Sequence, residues 1–151
     1  MRAIVLVLAA SFLLDCRRES ILFSVEPRIE FVSITPKVVQ EFGTLVILLR
    51  YRDGDGDLGG RTDGTPDLFL RDLRDSSLFP DGYDGVLRYN MPQFYEGPAQ
   101  SIQGTIEITV PGVARLDGTR ESETIAFEIF LQDRAGHESN RVYTDSVSIL
   151  S

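Results

Sequence analysis

The chain has 151 residues, 42% hydrophobic and 25% charged, with a net charge of −8 and a pI near 4.6. That length carries one domain with one core, and that composition excludes disorder over most of the chain. The acidic balance argues against nucleic acid, whose phosphates reward a basic patch, and suits a cation if the acids converge.

Met1 and Arg2 precede an apolar run of 12 residues, Ala3 to Leu14. A positive start and a short run fit a signal peptide over residues 1–15 and fall short of the ~20 residues of a membrane-spanning helix. No later segment is long and apolar enough to span a bilayer. The only cysteine, Cys16, follows directly. "FLLDC" resembles a bacterial lipobox, with Leu13 at the preferred position and Asp15 where a small residue is usual. The resemblance implies that Cys16 is the lipidated first residue of the mature chain. The other reading is a free cysteine in an ordinary cleaved signal. A lone cysteine excludes an internal disulfide framework. Residues 16–27 then form a tether closed by Pro27, and residues 28–151 form the domain.

From Arg28 on, the signals are those of strands. "RIEFVSI" (28–34) is rich in β-branched and aromatic residues and ends at Pro36. "TLVILLRYR" (44–52) has Leu45, Ile47, Leu49 and Tyr51 on one face and Val46 and Leu48 on the other, as expected for a strand in the middle of a sheet. "DLFLRD" (67–72), "GVLRYNMP" (85–92), "GTIEITV" (104–110), "ETIAFEIFLQD" (123–133) and "RVYTDSVSIL" (141–150) follow. In the fifth, Ile106, Ile108 and Val110 point inward; in the sixth, Ile125, Phe127, Ile129 and Leu131 do. Asp-Gly, Pro-Gly and Ala-Gly turns separate them. Seven or so strands with no convincing helix after the signal predict an antiparallel, immunoglobulin-like β-sandwich. An eight-stranded barrel is the alternative. The longest irregular connection is Leu73 to Asp84.

"YRDGDGDLGG" (51–60) sets Asp53, Asp55 and Asp57 on alternate residues where the strongest strand ends. Glycines at 54 and 56 let the backbone turn so that the carboxylates can face one point. Without a cation that arrangement costs repulsion; with Ca²⁺ it supplies much of the shell of about six to eight oxygens. The first half of an EF-hand loop has this spacing, but Leu58 replaces the loop glycine, Gly64 stands in place of the bidentate glutamate, and no helices flank it. If 44–52 is strand B and 123–132 is strand F of an immunoglobulin order, the loops after them share one end. Asp133 and Asn140 of "QDRAGHESNR" then become further ligands, with Asp63 and Asp67 as weaker ones. The competing reading is three solvated turn residues.

Catalytic chemistry finds little support. His137 is the only histidine, there is no G-x-S-x-G elbow, and zinc lacks ligands. No Gly-rich phosphate loop precedes a helix, and no tryptophan offers a sugar platform. The expectation is a protein that is not an enzyme.

"EPRIEFVSITP", "YRDGDGDLG" and "DRAGHESN" together resemble a group of small lipoproteins of Bacteroidota with an immunoglobulin-like domain, over roughly residues 27–150. His137 takes the place of the usual asparagine. The resemblance implies an outer-membrane lipoprotein and no set activity. "CRRES" lacks the acidic run common in surface-exported members, so a periplasm-facing anchor is implied. The expected function is a non-catalytic interaction or assembly module, held to the membrane through Cys16, whose partner is another envelope protein. Phe79, Tyr83, Phe94 and Tyr95 are its possible contact patch, or else pack beneath the long loop. The alternative is a lipoprotein that binds carbohydrate or another ligand with the help of Ca²⁺.

Overall fold

The computed structural model describes residues 23–151; the predicted signal peptide and Cys16 lie outside the described residues. The described chain is all-β, and its regular non-strand structure is a single 3-10 turn, Ser76–Leu78. In chain order the strands are β1 (Arg28–Thr35), β2 (Val38–Gln40), β3 (Gly43–Asp53), β4 (Leu68–Asp72) and β5 (Val86–Tyr89). They continue with β6 (Ile102–Val113), β7 (Ser122–Ile125), β8 (Phe127–Leu131), β9 (Val142–Tyr143) and β10 (Val147–Leu150). Three sheets form, in the orders β1-β3-β6, β2-β10-β7 and β5-β4-β8-β9. All pairings are antiparallel except β2 with β10, an arrangement consistent with a β-sandwich.

Period-2 patterning drives this assembly. Leu45, Ile47 and Leu49 of β3 are fully buried, and Ile106, Ile108 and Val110 of β6 pack in the same core. Ile29 and Ile34 of β1, Leu68 and Leu70 of β4, and Ile125, Phe127, Ile129 and Leu131 of β7–β8 close it. β3 is the central strand of its sheet, with β1 on one side and β6 on the other. Val46 and Leu48 are half-buried on its opposite face.

Three departures from the sequence expectation have local causes. The segment 123–133 breaks at Ala126, where the chain changes partners: β7 pairs with β10, and β8 pairs with β4 and β9. The Ala126 carbonyl accepts from Leu73 N–H instead of continuing a ladder. The last predicted strand splits into β9 and β10, because Thr144 exchanges bonds with Phe127: its N–H donates to Phe127 O and its Oγ1 accepts from Phe127 N–H. Val38–Gln40 adds a short strand that the sequence reading left in a connection, pairing parallel with β10.

Candidate metal centre

β3 ends at Asp53, and its last residue turns a carboxylate back into its own loop. Asp53 Oδ2 accepts the N–H groups of Gly56 and Asp57 at 2.8 and 3.0 Å. Gly56 makes this turn at φ 78°, a left-handed conformation that a side chain would strain. The result brings one oxygen each of Asp53, Asp55 and Asp57 within 4.8 Å of one another. Asp53 is fully buried and the other two are half-buried.

The hydrogen bonds account for one oxygen and leave another. Asp53 Oδ1, Asp55 Oδ1 and Asp57 Oδ1 are all buried and have no hydrogen-bond partner. Buried carboxylate oxygens are normally paired, since an unpaired one forgoes its hydration without compensation. Three orphan oxygens on converging acids are hard donors of the kind a metal ion takes, and three of them fill only part of the shell of about six to eight that Ca²⁺ requires. Burial and mutual repulsion also shape the electrostatics. Burial, followed by the Asp55 charge, pushes the Asp53 carboxyl up to about 6. Burial and the charge of Asp133 raise that of Asp57.

Main chain seals the loop on two sides. A Cβ on Gly54 would collide with the carbonyl oxygens of Phe23 and Ser24, and one on Gly56 would press on Gln100 O and the Tyr95 ring. Phe23 N–H donates to Ser101 Oγ at 3.2 Å, and Ser101 Oγ donates to Gly54 O at 3.1 Å. The start of the described chain is therefore stitched to the aspartate loop through one serine.

The loop after β8 meets the loop after β3. Arg134 N–H donates to Asp57 O at 3.2 Å, Ala135 N–H to Asp57 Oδ2 at 2.9 Å, and Arg134 Nη1 to Gly59 O at 2.9 Å. Asp133 is fully buried beside them, yet its two oxygens serve His137: Oδ1 accepts the His137 N–H at 2.7 Å, and Oδ2 lies 2.8 Å from Nδ1. That contact raises the His137 pKa. Asp133 thus adds charge next to Asp57 while standing outside the three-acid group.

Asn140 is elsewhere employed, and its expected place as a ligand is corrected here. Its Oδ1 accepts Ile29 N–H at 2.9 Å and its Nδ2 donates to Ile29 O at 3.0 Å, so the amide extends the hydrogen bonding of β1. Asp63 is exposed and bonds Thr65. Asp67 is fully buried; Oδ1 accepts Met91 N–H at 2.7 Å, while Oδ2 is unpaired.

The four aromatics also find neighbours rather than an open patch. All are half-buried. Phe79 packs on Tyr83 with ring centres 5.1 Å apart, Phe94 packs on Tyr51 at 5.0 Å, and Tyr95 lies over Gly56 and Gly97. Two other aromatic side chains do stand in solvent: Tyr143, 58% exposed with its hydroxyl donating to Glu128, and Phe42, 72% exposed on a left-handed backbone (φ 64°) between β2 and β3. No sequence signal marked it, because "QEFG" reads as an ordinary turn.

No protein-family model matches the chain, and no curated protein or solved structure is significantly similar to it. Among the described residues, no helix is long and apolar enough to cross a membrane.

Proposed function

We propose that this chain is a non-catalytic, lipid-anchored module of the cell envelope, an immunoglobulin-like sandwich with a structural Ca²⁺ in the Asp53–Asp55–Asp57 loop. The three orphan carboxylate oxygens carry the reading. The enclosure of the loop under residues 23–24 and 95–100 favours a caged ion, which stiffens the fold, over an ion open to a sugar or another ligand. The strand order supports the immunoglobulin-like class. β1-β3-β6 and β5-β4-β8-β9 correspond to A-B-E and C′-C-F-G of such a sandwich, with β3 as B and β8 as F.

Phe42 supports the interaction role. A β-region residue costs less than a left-handed phenylalanine, and such strain concentrates where function holds it. β3 runs from Gly43 to Asp53, so Phe42 stands at the end of the sandwich away from the tether and faces outward from the anchored surface. The partner is another envelope protein that buries this ring. The tests are a Ca²⁺ titration followed by thermal melting and a pull-down from solubilised envelope with the parent chain and Phe42→Asp. A flat melting temperature at millimolar Ca²⁺ removes the metal reading; a partner recovered equally by both proteins removes the Phe42 surface.

A further inference from the structure

We propose that an arginine-lined recess on the outer face of β3 binds the phosphate groups of anionic lipid headgroups. The recess measures about 490 Å³ and is lined by Arg28, Glu30, Arg50, Arg52, Gln103 and Thr105. Register brings them together. Arg28 of β1 stands directly opposite Arg52 of β3, Glu30 opposite Arg50, and on the other side Gln103 and Thr105 of β6 stand opposite Arg52 and Arg50. All six are exposed.

Like charges directly opposite on neighbouring strands destabilise a sheet, so Arg28 facing Arg52 is unfavourable on its own. The one carboxylate in the recess, Glu30, bonds Arg52 at 3.1 Å. Among the described residues, Arg28 and Arg50 form no ion pair. Three guanidinium groups against one carboxylate leave +2 here on a chain of net charge −8; Glu26 of the adjoining recess leaves +1, and Glu138, which shares a further recess with Arg28, is paired with Arg141 at 3.3 Å. Guanidinium forks with an amide and a hydroxyl beside them match phosphate oxygens, which arginine grips in bidentate fashion.

The place of the recess selects the source of the phosphate. β1 begins at Arg28, and the Arg52 guanidinium lies 5.9 Å from the centre of the Phe23 ring, so the tether enters beside the recess. Phe23 is seven residues from Cys16, a span of at most about 25 Å when fully extended. A lipid on Cys16 would hold Phe23 within that distance of the bilayer and so leave the arginines beside it able to reach the surface, where each basic side chain near anionic lipid raises partition about fivefold. The choice of a headgroup rests on the anchoring proposed above for Cys16.

The mature chain, residues 16–151 carrying Cys16→Ser, has neither the acyl group nor the apolar signal run and isolates headgroup contact. Its sedimentation is measured with vesicles of phosphatidylglycerol and phosphatidylcholine, and with phosphatidylcholine alone, for this chain and for the same chain with Arg28→Gln and Arg50→Gln. Both arginines are exposed, and an unchanged melting temperature checks that the fold survives. The double variant is expected to partition about 25-fold more weakly onto the anionic vesicles and equally onto the neutral ones. Equal partition of both proteins onto anionic vesicles overturns the proposal. Uptake of millimolar inorganic phosphate at these arginines without arginine-dependent vesicle binding overturns the headgroup as occupant. Labelled fatty acid at Cys16 of the unmutated chain in cells reads the anchor separately, so the two readings fail by different results.

Discussion

Asp55→Ala distinguishes a metal loop from solvated turns because the two give different signs. In metal-free protein the Asp55 charge adds to burial in raising the Asp53 carboxyl. Removing it relieves repulsion of about 1 kcal/mol, the value for two charges about 4 Å apart in water, up to about 4 kcal/mol at an effective dielectric near 20. In EDTA the variant should therefore melt at or above the parent temperature. With Ca²⁺ the order inverts. A site with Kd ~10⁻⁴ M in about 10 mM Ca²⁺ stabilises the parent by about 2.7 kcal/mol. For a domain of this size that is a rise of about 5–10 °C. If loss of one of the three carboxylates weakens the site ~100-fold, the variant keeps only about 0.4 kcal/mol, a rise near 1 °C. Differential scanning calorimetry of both proteins, in EDTA and in Ca²⁺, reads all four values. A parent whose melting temperature does not move, or a variant destabilised equally with and without Ca²⁺, would refute the reasoning.

Three further outcomes follow from the same contacts. The Asp53 carboxyl, at about 6 when folded against an ordinary value of 3.8, contributes stability that is complete below the unfolded value and lost as pH rises through about 6. The raised pKa of His137 acts in the same direction. Metal-free protein should thus gain stability from pH 7 to pH 5 on account of these groups, while the Ca²⁺-dependent rise in melting temperature shrinks as protons compete for Asp53; a rise equal at both pH values contradicts this. Asn140→Ala removes both bonds to Ile29 and should cost about 1–3 kcal/mol in urea denaturation while leaving the Ca²⁺-dependent rise intact. If that rise vanishes instead, Asn140 is a ligand after all. Arg74→Met strands the nearly buried Asp72 and Glu123, which its guanidinium holds at 2.6 and 2.7 Å, and should cost about 3–5 kcal/mol equally in Ca²⁺ and in EDTA. A loss that depends on Ca²⁺ would mean that the two ends of the sandwich are coupled.

The strands were legible because burial alternates with period 2, and the alternation in "GTIEITV" and "AFEIFL" survives unchanged in β6 and β8. The convergence of Asp53, Asp55 and Asp57 was legible because alternate acids separated by glycines can turn to face one point. What the sequence concealed depends on register and on contacts between distant residues. "RYR" places two arginines on one face, but only pairing with β1 sets Arg28 opposite Arg52. Arg74 looks like one more loop charge until the fold brings Glu123 to it. Asn140 sits four residues past the Ala-Gly turn, where a ligand was expected, and only the close approach of β1 shows that its amide completes a strand. The partner change at Ala126 leaves no mark on hydrophobic periodicity, because Ile125 and Phe127 keep one buried face through the break, whereas after Thr144 the inward positions shift phase from Val142 to Val147 and Ile149.

The placement of these features along β3 gives the molecule a direction. The start of the described chain, the aspartate loop and the arginine recess all lie at the Asp53 end, joined through Phe23, Ser101 and Gly54. Phe42 lies at the other end, some 30 Å away along a strand of 11 residues. An ion that fixes the aspartate loop also fixes the carbonyl of Gly54, and with it the serine that holds the exit of the tether. With the anchor proposed at Cys16, a stiff exit would set the tilt of the domain on the membrane, and the contact proposed at Phe42 would depend on that tilt. Ca²⁺ removal should therefore weaken capture of a partner at Phe42 by the anchored protein more than by the same chain free in solution, although neither Phe42 nor its neighbours touch the metal.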